Sequence, residues 1–227
     1  MENWKLDLKS EVIKSAYERY LERLDAISTI YSVVSYTDDK LKKGEGFIGS
    51  SERIRLSDDF DDVYTTIKTK DDIERSSSSG TLHQINCSQA IIAILANFEN
   101  LVEEYCSIFS VPGSVLRDTK VNTLQGEINN SSVLKKFTAI HKHLNIDSNA
   151  INVREMTIYY KYTLIRNRLV HQQGSLKDGD YPLLEPWALD GVLHFDGDAI
   201  DSIIHFFLMP LTSFVKALDY TYSSRCT

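Results

Sequence analysis

Residues 159 to 174 read YYKYTLIRNRLVHQQG, and within them Arg166-Asn167 is followed by His171 four residues after the Asn. Histidine titrates near neutrality, and arginine stays charged while presenting a planar fork to phosphate oxygens. Cleaving RNA without a metal needs a base for the ribose 2′-OH, an acid for the leaving 5′ oxygen, and a fixed cation beside the phosphate. Arg166 and His171 are the candidate catalytic pair, with Asn167 orienting His171 or holding a phosphate oxygen. His171 falls in the last helical turn before Gly174, where the helix dipole favours its protonated form. Arg168 and Lys161 add positive charge for substrate, and Tyr160 and Tyr162 offer rings on which a base could stack. Chance alone gives Arg with His five to seven residues later roughly 0.8 times in such a chain, but Arg-Asn-x-x-x-His only about 0.013 times. The longer pattern therefore carries the weight.

Composition sets the frame. A chain of 227 residues, 42% hydrophobic and 25% charged, can bury one sizeable core. Net charge is -7, which argues against a surface basic all over. The distribution is uneven: residues 57 to 74 hold seven acids against two lysines, whereas residues 154 to 177 hold five basic residues against Glu155 alone. The basic stretch coincides with the candidate site. Cys87, Cys106 and Cys226 are odd in number and form no C-x-x-C pair, so a reducing compartment is expected, with no disulfide framework, zinc site or cofactor. Without a signal-like start or an apolar run near the ~18 residues of a membrane span, a cytoplasmic protein away from membranes is expected.

Ile13, Tyr17, Tyr20, Leu24, Ile27, Tyr31 and Val34 alternate at spacings of four and three, predicting a long helix over residues 8 to 34 that packs on the chain's own bundle or, as the alternative, in an intermolecular coiled coil. Residues 43 to 51 read as a connection. Phe60, Val63, Tyr64 and Ile67 suggest an acidic amphipathic helix, with Asp58 and Asp62 most simply solvated. Residues 76 to 80, SSSSG, read as a low-complexity hinge or flexible loop. Residues 83 to 109 give the strongest helix, ended by Pro112-Gly113, with Ile85, Ile92, Leu95, Phe98, Val102, Tyr105 and Phe109 on its apolar positions. Weaker helices are expected over residues 115 to 128 and 133 to 144, separated by an Asn-Ser turn that supplies an N-cap. His141 and His143, two apart on a helix, point away from one another and read as surface residues. His83, His194 and His205 read as lone structural or surface histidines.

The motif helix should start at Asn152, a capping residue with Glu155 three positions on, and stop at Gly174. Asp190-Gly191 between short apolar runs predicts a tight β-hairpin over residues 185 to 195. Asp198 then caps a last helix, with Pro210 kinking it. On a helical wheel Ile158, Tyr162, Ile165 and Leu169 form a core face. Met156, Tyr160, Leu164, Asn167 and His171 form a second line, covered by another helix of the chain or by a symmetry mate. Arg166 lies about 140° from His171, so the pair meets only if the last turn is distorted or if a second copy brings its His beside this Arg. The dimer also accounts for the second apolar line.

Arg166-Asn167-Arg168-Leu169-Val170-His171 resembles the R-x4-6-H motif of HEPN domains, in which the position after the Arg is commonly polar. The context is similar as well: a late amphipathic helix in a helical chain, a loop, then a closing helix. The resemblance covers residues 83 to 218 and leaves out the long first helix and the acidic insert. It implies an all-α, HEPN-like helical bundle with a long N-terminal helix and a small β-hairpin before the last helix. Residues 1–82 would form the extension and residues 83–227 the bundle. It further implies a metal-independent endoribonuclease, with two motif copies lining one cleft of a homodimer. Its role would lie in a toxin–antitoxin or antiphage system, with RNA and an antitoxin or defence-system component as partners. The family also contains non-catalytic modules that bind RNA, nucleotide or a protein partner.

Overall fold

The computed structural model describes residues 2–45, 54–55, 64–65, 70–129, 131–146, 152–195 and 199–224. In chain order the elements are α1 (Glu11–Lys42), β1 (Ile54–Arg55), β2 (Tyr64–Thr65), α2 (Lys70–Ser78), α3 (Thr81–Ile108), α4 (Gly113–Asp118), β3 (Val121–Thr123) and β4 (Gly126–Ile128). They continue with α5 (Ser132–His143), α6 (Val153–Gln172), α7 (Tyr181–Leu184), β5 (Ala188–Leu189), β6 (Val192–Leu193) and α8 (Ala199–Ser223). Each strand pair is a two-stranded antiparallel ribbon, and the described residues are mostly helical. Contacts divide it into two compact units, Met1–Ser28 with Ala90–Thr227, and Thr29–Gln89. The first turns of α1 thus belong with the C-terminal helices, and the expected boundary at residue 82 is replaced by divisions inside α1 and α3.

In the larger unit four helices meet on aromatic rings. Phe98 of α3 stacks on Tyr159 of α6, with centroids 5.2 Å apart, and meets Phe137 of α5 and Phe207 of α8 edge-on at 5.5 and 4.8 Å. Offset and edge-on pairs of this kind exceed the worth of their buried area. The Tyr159 hydroxyl is satisfied by donating to the Phe207 carbonyl at 3.2 Å. α1 joins this core through Ile13, Tyr17, Tyr20 and Leu24, all buried. Its start is fixed from the far end of the chain: the Lys9 and Ser10 amides donate to the two oxygens of Asp219 at 2.9 and 2.7 Å. These are donors that no helical carbonyl can satisfy, and a buried carboxylate does so while complementing the dipole.

In the smaller unit Asp38 of α1 is the buried polar anchor. It accepts from Ser77 Oγ and from Lys42 Nζ, each at 2.5 Å. Asn86 donates to the Tyr31 carbonyl and to Ser35 Oγ, both at 3.1 Å. The serine run is therefore not a loop: Ser76 to Ser78 extend α2, which turns only at Ser79-Gly80. Each of Ser76 and Ser78 folds its hydroxyl back onto the carbonyl four residues earlier. His83 is not alone either, since the Cys87 thiol lies 3.5 Å from its Nε2. Tyr64 pairs in a ribbon with Arg55, so the acidic amphipathic helix is not formed at that position. The rest of that helix, with Asp58 and Asp62, lies outside the described residues, as do most of the connection at 43 to 51, Asp198 and Cys226.

Other expectations shift in instructive ways. Residues 115 to 128 form the short α4 followed by a hairpin, because Val121, Thr123 and Ile128 alternate inward while Gly126 takes φ 104°. Ile85, expected in the core, is 55% exposed. α3 and α8 reach the length and apolar composition of membrane spans, contrary to expectation, and about half or more of each such stretch is buried against the chain itself. Pro210 lies inside α8, which continues to Ser223. Asp219→Ala should remove both amide acceptors at the start of α1 and cost about 2 kcal/mol in denaturant unfolding, with the far-UV helix signal retained before the transition. An unchanged midpoint would contradict the capping role.

Candidate active site

α6 carries the motif, and its two ends are clamped by different means. At the start Asn152 Oδ1 accepts from the Arg154 and Glu155 amides at 2.9 and 3.2 Å, while Glu155 accepts from the Asn152 amide at 2.7 Å, a complete capping box. One turn on, Thr157 Oγ1 accepts from the Leu124 amide at 2.9 Å, tying the β3–β4 hairpin to the helix. At the other end Gln173 and Gly174 take left-handed φ of 51° and 84°. A Cβ at Gly174 would sit 3.4 Å from Val192, so close approach as well as φ selects glycine. The Gly174 carbonyl accepts from Leu193, and Leu176 donates to Gly191, both at 2.9 Å. These bonds fasten the helix end to the expected hairpin, whose turn at Asp190-Gly191 has φ of 50° and 77°.

Tyr159, fully buried, sets the rotation of the helix. Arg166 is seven residues on, about 20° from the same direction, and so faces α3. There its Nη2 lies 3.6 Å from Glu99 Oε2, and its Nη1 donates to Asn167 Oδ1 at 3.3 Å. Nε is buried without a hydrogen bond. His171 is exposed, five residues further along a helix that stays regular through Gln172. A distorted last turn therefore does not bring His171 round to Arg166, and the two remain about 140° apart. Asn167 serves the arginine and not the histidine.

The expected substrate residues are placed differently. Arg168 is committed within the chain: Nε and Nη2 donate to Asp180 Oδ2 and Oδ1 at 2.5 and 2.7 Å, and Nη1 donates to Gln172 at 3.0 Å. Its side chain is 14% exposed and that of Asp180 only 6%. Arg168 thus holds the loop after α6 and has no edge left for phosphate. Lys161 lies over the Trp187 ring, 3.9 Å from its centroid, and burial lowers its pKa from the usual lysine value. Tyr160 is half-buried and Tyr162 is buried beside Trp187 and Phe207, which removes Tyr162 from stacking on a base. Met156 and Leu164, the apolar members of the second line, are buried by the chain's own elements. That line therefore supplies no argument for a dimer.

Glu99 is the residue that sequence reasoning missed. It lies some seventy residues from the motif, and its signal was an acid next to the core residue Phe98 on the strongest helix. A small cavity between α5 and α6 is lined by Phe137, Thr138, His141 and Met156, with Met156 about 15 Å up the helix from Arg166. The His141 ring lies parallel to Phe214 at 6.5 Å, so this histidine is half-buried and not simply at the surface. Among the described residues no three His, Cys, Asp or Glu side chains are grouped to hold a metal ion. Comparisons with family models, curated proteins and solved structures give no match.

Burial alone would raise the Asp180 carboxyl, but hydrogen bonds from Arg168 and the Lys177 amide outweigh it and hold its pKa below the usual aspartate value. A carboxyl lowered in the folded state contributes stability above its unfolded pKa and loses it as pH falls through the folded one. Wild-type stability should therefore drop as pH falls below about 4. Asp180→Asn should flatten that part of the acid limb and cost about 3 kcal/mol at neutral pH. An unaltered acid limb would show that the pair contributes no linkage.

Proposed function

We propose that the chain is a metal-independent endoribonuclease of HEPN type, working as a homodimer in which two motif copies face one cleft. The observation that carries this reading is the contrast within one helix turn. Arg168 is fully paired, whereas Arg166, in the motif spacing Arg-Asn-x-x-x-His, keeps one edge of its fork without a hydrogen bond. A guanidinium in that state can receive a phosphate and stabilise the charge that builds on it.

In the reaction the ribose 2′ oxygen loses its proton to a base and attacks phosphorus. The bond from phosphorus to the 5′ oxygen breaks, and that oxygen takes a proton, leaving a 2′,3′-cyclic phosphate and a 5′-hydroxyl. His171 acts as the acid or as the proton shuttle, and Arg166 holds the non-bridging oxygens. Asn167 braces Arg166. The second copy enters because Arg166 and His171 diverge on a regular helix. A toxin–antitoxin or antiphage setting, with an antitoxin or defence component as partner, is the biological role that this reading implies.

The same divergence favours a second reading, a module that binds RNA, nucleotide or a partner through Arg166 without cutting. One experiment separates them. Single-stranded RNA incubated with the protein and excess chelator should be cut to ends bearing 2′,3′-cyclic phosphate. Arg166→Ala and His171→Ala should each lower the rate at least a hundredfold while leaving the melting temperature within a few degrees. Retained RNA binding with no cutting by the wild type would replace the enzyme with the binding module, and full activity of His171→Ala would remove the acid.

A further inference from the structure

Glu99 stands against the edge of Arg166 that the proposed chemistry needs. Its Oε2 lies 3.6 Å from Nη2, beyond hydrogen-bonding range, and the two side chains are 34% and 29% exposed. An ion pair of this kind, part-exposed and lacking a hydrogen bond, is worth little. Nε, on the same edge of the fork, is buried and unpaired. Arg168 uses that identical edge, Nε with Nη2, to grip Asp180 at 2.5 and 2.7 Å. The two arginines, two residues apart on one helix, thus show the same fork in two states. One is closed on a carboxylate, and the other is only loosely neutralised.

We infer that Glu99 is an exchangeable counter-ion of Arg166, displaced when an RNA phosphate takes the Nε–Nη2 edge. The inference rests on Arg166 being the phosphate-binding group of the proposed site. The exchange is favourable because phosphate supplies two charge-assisted hydrogen bonds where the carboxylate supplies none, and it satisfies the orphaned Nε. Without RNA, Glu99 neutralises a half-buried charge. During binding it competes for that charge, which weakens loosely held anions and leaves those that can reach both nitrogens.

The test measures binding, not cutting. An RNA oligonucleotide with 2′-O-methyl groups throughout cannot be cleaved by 2′ attack, so its affinity reports on the phosphate site alone. Glu99→Gln should tighten binding by about two- to fivefold at low salt, with the gain fading as ionic strength rises. The gain should vanish in the Glu99→Gln, Arg166→Ala double variant when that is compared with Arg166→Ala. Glu99→Ala should move affinity in the same direction, which guards against an effect peculiar to the amide. Unchanged or weaker binding by both Glu99 variants, with wild-type melting behaviour, would overturn the inference and make Glu99 a positioning residue for Arg166. Failure of the wild type to cut natural RNA would sink the nuclease reading and leave this result to stand by itself.

Discussion

The stacking of Tyr159 on Phe98 fixes how α6 is turned, and the proposed chemistry depends on that rotation. A fully buried tyrosine whose hydroxyl must find an acceptor has few acceptable orientations, and the Phe207 carbonyl defines one of them. Once Tyr159 faces α3, helical periodicity carries Arg166 to the same side and leaves His171 about 140° away from Arg166, on an exposed position. Which charged groups can meet is therefore settled by aromatic packing two turns upstream, and not by attraction between the groups themselves.

The rest of the larger unit keeps that rotation from slipping. A capping box and a hairpin hold the front of α6, while Gly174 and a second hairpin hold its end. Arg168 and Asp180 lock the loop that follows. These contacts use hydrogen bonds at ordinary or short lengths and leave few polar atoms unpaired. Against that background Arg166 is, with Tyr20 and Asn97, one of three exceptions among the described residues: a buried Nε without a hydrogen bond and a carboxylate held just out of hydrogen-bonding reach. Folded proteins seldom leave such groups unsatisfied, so each exception calls for an explanation.

Much of this was legible in the sequence. The capping box at Asn152 and Glu155, the glycine at the helix end and the Asp-Gly hairpin each depend on a few neighbouring residues whose physics is local, and each stands where it was expected. The seam of α1 was equally plain, because Ile13, Tyr17, Tyr20 and Leu24 repeat at helical spacing. What failed depended on distant partners. Val121 to Ile128 could be read as helix or ribbon until Thr157 supplied a hydrogen bond to the turn. Nothing near Ser76 to Ser78 revealed that Asp38 would bury one of these hydroxyls. Arg168 looked as available as Arg166, since the difference lies in Asp180, twelve residues away, and in Glu99, much further off. Composition likewise separated apolar from polar positions but not Ile85, which is exposed, from its buried neighbours.

The central claim is that a competent site combines Arg166 of one copy with His171 of another. Mixing the inactive Arg166→Ala and His171→Ala proteins under conditions that allow subunits to exchange tests it directly. In a mixed dimer one of the two Arg166–His171 pairings in the shared cleft receives both defects and the other receives neither, so RNA cutting should reappear at about a quarter of the wild-type rate. If the mixture stays as inactive as its parts while each variant is folded and mass measurement shows that mixed dimers have formed, the two-chain site is contradicted.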